Sequence, residues 1–318
     1  MNNNNNNNHT HRPSNWTLAD AFRNVYCTLY QLLLGIVLFF IPSSWRLKDI
    51  SEEVVLITGA GNGLGRLIAL KLVNKVASLV LIDINSDALE QTASIAKTRS
   101  DGSTNIFTYV TDVSDYAAIK KVAQQVKQDV GSVTILINNA GVVSGKSFFS
   151  LTPEDVNRTY GVNVFANYWI NQAFLPDMMS INHGHIVTLA SVASFIGTTR
   201  MADYNASKAA VNMLQECLAC ELNAAGYDGI NFTVICPFFI DTGMFDGVRG
   251  FLFPILKSDY VADKIVIALR TNQSVLVLPK VFYFLIWLRH TLPLKSFYHL
   301  CSVARSNQMM DTFKSKSS

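Results

Sequence analysis

The chain has 318 residues, 49% apolar and 15% charged, with a net charge of +3. That length suits one large α/β domain or two small ones, and so weak a positive balance, with no basic stripe, excludes nucleic acid as an expected partner. Five scattered cysteines (Cys27, Cys217, Cys220, Cys236 and Cys301) are not a disulfide framework and offer no metal-ligand set, since the Cys-x-x-Cys of Cys217 and Cys220 has no second pair.

In chain order, residues 1–15 include seven consecutive asparagines, a low-complexity tail that can bury no core and is expected to be disordered. Residues 25–41, "VYCTLYQLLLGIVLFFI", carry no charge and run into Pro42. A helix of that length is at the lower limit of what spans a bilayer core, roughly 17–25 residues. A signal peptide would need a small-residue cleavage site after Ile41, and a buried core helix would show a polar stripe. The segment therefore reads as a retained membrane anchor. Arg12 and Arg23 before it balance Arg46 and Lys48 after it, so charge does not set its orientation.

Residues 54–57 are an all-apolar run, as for a strand buried on both faces. Thr58, Gly59, Gly61, Gly63 and Gly65 follow, then Leu64, Leu67, Ile68 and Leu72 at helical spacing. Strand, glycine turn and helix together point to a dinucleotide site. Gly59 permits the tight turn, Gly63 lets backbone approach a pyrophosphate, and Gly65 allows close helix packing. A plain turn also uses glycines, so the next strand carries weight. "SLVLIDIN" brings Asp83 to its end, where a carboxylate can accept both ribose hydroxyls and repel a 2′-phosphate. With no lysine or arginine directly after it, NAD is expected rather than NADP; the alternative is a strand-end turn residue.

"NIFTYVTDVSD" supplies a third strand with Asp112 at its end and Ser114 as a helix cap. "VTILINNAGVV" is a fourth, running into Asn138, Asn139, Ala140 and Gly141. "GHIVTLASVAS" is another strand, and Ser191 stands just beyond it, where open α/β sheets collect ligands. In the helix that follows, Tyr204 and Lys208 are i and i+4, on one face. A phenol titrates near pH 10; an ammonium beside it and an oxidised nicotinamide ring would favour phenolate, which suits general acid–base catalysis. The same stretch holds a glycosylation sequon at Asn205, and others stand at Asn157, Asn231 and Asn272. A tyrosine and lysine facing a cofactor leave the Asn205 sequon unused, and a cytosolic domain leaves all four so.

Strands alternating with helices predict a single doubly wound parallel sheet over residues 51–278. Residues 279–318 form a hydrophobic extension. Its apolar, aromatic run at 281–288 is too short to span a bilayer. It is either a core-packing helix or an interfacial segment that, with residues 251–255, frames an entrance for substrate from the bilayer.

Thr58, Gly59, Gly63 and Gly65, the Asn138-Asn139-Ala140-Gly141 run, Asn163, Ser191 and Tyr204-x-x-x-Lys208 together resemble the short-chain dehydrogenase/reductase family over roughly residues 51–275. With the anchor, the chain is similar to its membrane-bound subgroup of epidermal retinol dehydrogenases and lipid-droplet 17β-hydroxysteroid dehydrogenases. The resemblance implies a Rossmann domain, a catalytic tetrad of Asn163, Ser191, Tyr204 and Lys208, and a water positioned by Asn163 that relays protons to Lys208. It assigns the adenine contact to Asp112 and the cofactor channel to Asn139 and Gly141. Further cofactor contacts fall on Asn62, Leu64, Val113, Ala140, Pro237, Ile240 and Thr242. Phe238 stands where the family usually has glycine. Implied too are NAD as cofactor, a lipophilic alcohol such as retinol or a steroid as substrate, a homodimer, and an endoplasmic reticulum or lipid-droplet membrane with the domain in the cytosol. The rival reading is a catalytically silent membrane or lipid-droplet protein that keeps the fold.

Overall fold

The computed structural model describes residues 17–314; the tail expected at residues 1–15 lies outside them. The chain forms two compact units, one ending at Leu47 and one beginning at Lys48.

The first unit is dominated by helix α1, Leu18–Phe40. It starts ahead of the uncharged run at residue 25 because Thr17 and Asp20 form a capping box, each side chain accepting from the other's backbone N–H. Leu18–Leu38, 21 residues, is long and apolar enough to cross a membrane, and none of it is buried in protein. At about 1.5 Å per residue it matches a hydrocarbon core about 30 Å thick.

In the second unit the strands are β1 (Val54–Thr58), β2 (Ser78–Asp83), β3 (Asn105–Val110), β4 (Ile135–Asn138), β5 (Gly184–Leu189), β6 (Ile230–Pro237) and β7 (Val275–Leu278). All pair in parallel, in the order β3-β2-β1-β4-β5-β6-β7. Crossover helices join them: α2 (Gly63–Leu72), α3 (Ser86–Arg99), α4 (Tyr116–Asp129), α5 (Pro153–Tyr160), α6 (Ala166–Ser180), α7 (Ala202–Ala224) and α8 (Ser258–Arg270). Alternate residues of a strand face opposite sides. Val55 and Ile57 therefore pack into the layer of α2, α3 and α8, and Leu56 into that of α4, α6 and α7. The cap expected from Ser114 belongs instead to Asp115, whose carboxylate accepts from Ala117 and Ala118 N–H. The Ser114 hydroxyl is turned back to Asp112 Oδ1 at 2.7 Å. After β7 come α9 (Val281–Thr291) and α10 (Leu294–Val303).

The order reverses between β1 and β4, which opens a crevice at the carboxyl ends of the strands. A polar clasp closes the other end. Buried His185 at the start of β5 receives a hydrogen bond on Nδ1 from Lys48 Nζ at 3.1 Å and meets Thr233 Oγ1 with Nε2 at 2.8 Å. Thr233 in turn donates to Gln273 O, which makes Nε2 the protonated nitrogen. Lys48 and Arg270 exchange backbone and side-chain bonds beside it. Burial first, and the Lys48 charge second, push the His185 pKa down to about 3.

Candidate active site

The glycine turn after β1 is shaped by positions no other residue fills easily. Gly59 and Gly63 have φ of +65° and +51°, a region open to glycine at no steric cost. A Cβ on Gly65 would stand 2.1 Å from the Gly59 carbonyl oxygen, so the turn lies directly on the first turn of α2. Asn62 caps that helix, its Oδ1 accepting from Gly63 N–H, and the helix start offers unpaired N–H groups. Asp83, at the end of β2, leans over the turn; Oδ2 accepts from Gly61 N–H at 2.8 Å and Oδ1 from Asn85 N–H at 2.9 Å. Each oxygen keeps a lone pair. Arg66 lies on the far side of the turn, its guanidinium bound to Gly61 O, Ala88 O, Gln91 Oε1 and Thr92 Oγ1.

Across the crevice, the ends of β1 and β4 are stitched together. Thr58 Oγ1 accepts from the N–H groups of Asn139 and Ala140, and Asn139 Nδ2 donates to the carbonyls of Thr58 and Gly59. Asn163 sits in a π-helical turn, Gly161–Phe165, between α5 and α6, a feature frequent at functional sites. Its Oδ1 accepts from Val142 N–H at 2.8 Å. Both Nδ2 hydrogens are engaged, one by Val142 O at 3.0 Å and one by Ser207 Oγ at 2.9 Å. The side chain thus clamps the strand-end loop to α7. A methyl on Gly141 would lie 3.5 Å from both Asn163 Oδ1 and Lys208 Nζ, so these two groups meet across that glycine.

Ser191 follows β5, donating to Pro237 O at 3.2 Å and accepting from Ala193 N–H. Tyr204 and Lys208 are both buried on α7. Lys208 Nζ donates to Leu189 O at 2.6 Å and lies 5.7 Å from the centre of the Tyr204 ring. The phenol expected to be lowered by this ammonium together with an oxidised nicotinamide ring stands raised in the protein alone. Burial pushes Tyr204 up to about 12, opposed only by its hydrogen bond with Ser191. Burial also brings Lys208 down to about 8. In the protein alone, losing water outweighs the pairing of a cation with a phenol that is neutral to begin with.

One cavity of about 660 Å³ joins these pieces. Its lining includes Gly59, Asn62, Gly63, Leu64 and Asp83 on one side, and Asn139, Ala140 and Gly141 next to them. Ser191, Tyr204, Lys208, Pro237, Ile240 and Thr242 complete the group. Thr242 stands over the glycine turn, 3.2 Å from where a Gly63 Cβ would be. The bridge of Ile240 to Leu256 uses the neighbouring amides, leaving Ile240's own out of it. Thr58, Gly65, Asp112, Val113 and Asn163 do not line the cavity; they act one layer behind, and the Asp112 carboxylate is held by Ser114.

The rest of the lining is apolar, and sequence reasoning missed most of it. Phe245 packs edge-on against Tyr204 at 5.7 Å. Phe238 stacks on Phe282 of α9 at 4.9 Å, so the residue standing in place of glycine ties the C-terminal extension to β6. Leu285, Leu288, Phe297, Met309 and Phe313 bring the end of the chain round as a wall, with Phe313 against Gly145. No local pattern signals these contacts, because they join residues far apart in sequence. Asn205 donates Nδ2 to Ile196 O, so its nitrogen is held within the fold, whereas Asn272 lies exposed in a turn.

Residues 53–250 match the short chain dehydrogenase family model. Epidermal retinol dehydrogenase 2 of Mus musculus is 40% identical over 283 residues, 87% of this chain and 91% of the relative. Retinol dehydrogenase 10-B of Danio rerio is 38% identical over 85% of this chain and 89% of its own. Among solved structures, a short chain dehydrogenase/reductase from Burkholderia phymatum in complex with NAD superposes with a TM-score of 0.67 at 28% identity, covering 76% of this chain and 94% of that one. A parallel sheet with its glycine turn at the switch point, a buried Tyr-x-x-x-Lys beside a strand-end serine, and relatives this similar over most of their length lead to one assignment: the chain belongs to the short-chain dehydrogenase family.

Proposed function

We propose that this protein is an NAD-dependent oxidoreductase that interconverts a lipophilic alcohol, retinol or a steroid, with its carbonyl compound at a membrane surface. The observation that carries the reading is the continuity of one cavity from Asp83 and the glycine turn, past Ser191, Tyr204 and Lys208, to an aromatic far wall. The glycine turn fits a pyrophosphate, since a Cβ at Gly63 would intrude on the cradle under Thr242. Free lone pairs on Asp83 suit a ribose diol, and the tying of Arg66 to the back of the turn leaves it unable to greet a 2′-phosphate. The dinucleotide supplies hydride transfer when bound.

The chain's own groups handle the proton. Ser191 Oγ holds the substrate oxygen, and Tyr204 takes the hydroxyl proton during oxidation or gives it during reduction. With its phenol raised by burial, Tyr204 is protonated at neutral pH and ready as the acid. Acting as base requires cationic charge nearby, which Lys208 and a positively charged ring would provide. Lys208 has two further N–H donors, beyond the one given to Leu189 O, for the nicotinamide ribose. Asn163 holds the Val142 segment in place, and its remaining Oδ1 lone pair is available to a water beside Lys208.

Helix α1 is the membrane anchor in this reading, and the setting is an endoplasmic reticulum or lipid-droplet membrane, with the second unit on the cytosolic side. Supporting the cytosolic face, all five cysteines are free. A homodimer through α6 and α7 completes the picture; Tyr168 and Met213 are exposed there.

The deciding experiment is NADH formation by the detergent-solubilised chain with NAD and all-trans-retinol, beside Tyr204→Phe. Turnover that the substitution abolishes supports both halves of the reading. Turnover indifferent to the substitution removes the tyrosine from the chemistry, and activity with a steroid or fatty alcohol alone removes the retinoid. No turnover with any of these favours the silent-protein reading. For the cofactor, Asp83→Arg is expected to move selectivity towards NADP by one to two orders of magnitude, about 1.4 kcal/mol per tenfold; unchanged selectivity overturns the role of Asp83.

A further inference from the structure

We infer that the outer face of α9 and α10, together with residues 251–252, rests on a lipid bilayer with anionic headgroups, and that the mouth of the cavity opens into it. Helix α9 buries Phe282 and packs Leu285 and Ile286 against the same cluster, and helix α10 buries Phe297, so each is fixed to the fold along one side. Their other aromatics turn outward. Phe284 and Trp287, stacked at 5.7 Å, are 56% and 59% exposed, and Tyr298 of α10 is exposed beside them in sequence order.

Three residues connect this face to the cavity. Leu252, Leu300 and Val303 line the cavity, yet are 64%, 46% and 85% exposed. An apolar rim is the wrong finish for a mouth that opens to water, and the right one for a mouth that opens to acyl chains. Arg305, packed over the Phe251 ring at 5.8 Å, ties the end of the helix pair to the 251–252 loop.

Charge selects the occupant. Between Thr271 and Met310 the chain has no aspartate or glutamate, while Lys280, Arg289, Lys295 and Arg305 all fall there. Aromatics that dip into the acyl boundary, with cations at headgroup level, are the pattern of an in-plane amphipathic surface. At about 1.5 Å per residue α9 is about 16 Å long, half of a hydrocarbon core, so it lies along the surface and does not cross it. The passage of substrate through this mouth rests on the oxidoreductase reading; the seating of the surface does not.

The test needs no turnover. The full-length chain is placed in vesicles of phosphatidylcholine and phosphatidylserine, with and without brominated acyl chains, and its tryptophan emission is compared with that of Trp287→Phe. The chain has four tryptophans, and the difference isolates Trp287. The expected result is a Trp287 emission that brominated chains quench by at least twofold and aqueous iodide barely touches, with the shielding reduced when phosphatidylserine is left out. Emission open to iodide and indifferent to bromine puts the face in water and overturns the proposal. Emission shielded from both means that protein covers it, a second copy or another partner, and overturns it equally.

Discussion

Two lysines stand at opposite ends of the same sheet. Lys208 lies at the carboxyl ends of the strands and Lys48 at their amino ends, and burial lowers the pKa of both. Their neighbours differ. Lys208 gives one hydrogen bond to Leu189 O and keeps its other donors towards a cavity. Lys48 is turned inward to His185, which passes the chain of hydrogen bonds to Thr233 and Gln273. Desolvating an ammonium is costly in either place. At one end the cost keeps a charge available for a ligand; at the other it is offset by a network that closes the fold around the start of β1 and β5.

In the proposed function Lys208 is a catalytic group and Lys48–His185 a structural one, and three measurements can break that contrast. The largest effect is expected for Lys208→Met, which should lower kcat by about 10²–10⁴-fold, the usual range for a lost acid–base component, while the melting temperature holds or rises. A melting temperature that falls sharply would make Lys208 structural instead. Next, His185→Ala should leave Lys48 and Thr233 without their partner and destabilise the protein by roughly 1–3 kcal/mol for each orphaned group, with kcat unchanged in the folded fraction. Denaturant unfolding alongside turnover separates the two.

The smallest effects are in pH dependence, where His185 and Lys208 occupy separate windows. His185 is held near 3, below the unfolded histidine value of about 6.5. Between those values the unfolded chain binds the extra proton, so stability is present above about pH 6.5 and is lost as pH falls, by up to about 1.4 kcal/mol per unit. Lys208 is held near 8 against an ordinary 10.5. There too the unfolded state binds more protons, so its contribution to stability rises with pH from about 8 to 10.5. Unfolding titrations should therefore show the acid slope reduced in His185→Ala and the alkaline slope reduced in Lys208→Met. Identical slopes in wild type and variant would dissolve the distinction.

The strands, the glycine turn and the Tyr204–Lys208 pair were legible in the sequence because each rests on short-range geometry. A buried strand must be apolar throughout, a left-handed turn needs glycine, and residues four apart on a helix share a face. Two caps are local as well, the Thr17–Asp20 box that begins α1 and Asp115, not Ser114, at the start of α4. Other features were settled only by packing. The protonation of Tyr204 followed from burial, which no local pattern discloses. The fold likewise ties the Arg66 guanidinium to the back of the glycine turn. Above all, the wall formed by Phe282, Phe297, Met309 and Phe313 exists because the chain returns across the cavity after β7. Sequence determined the sheet and the helix that carries Tyr204 and Lys208, since those obey local rules. The tertiary structure decided the shape and greasiness of the space beside them, because contacts between distant residues are fixed by the path of the whole chain.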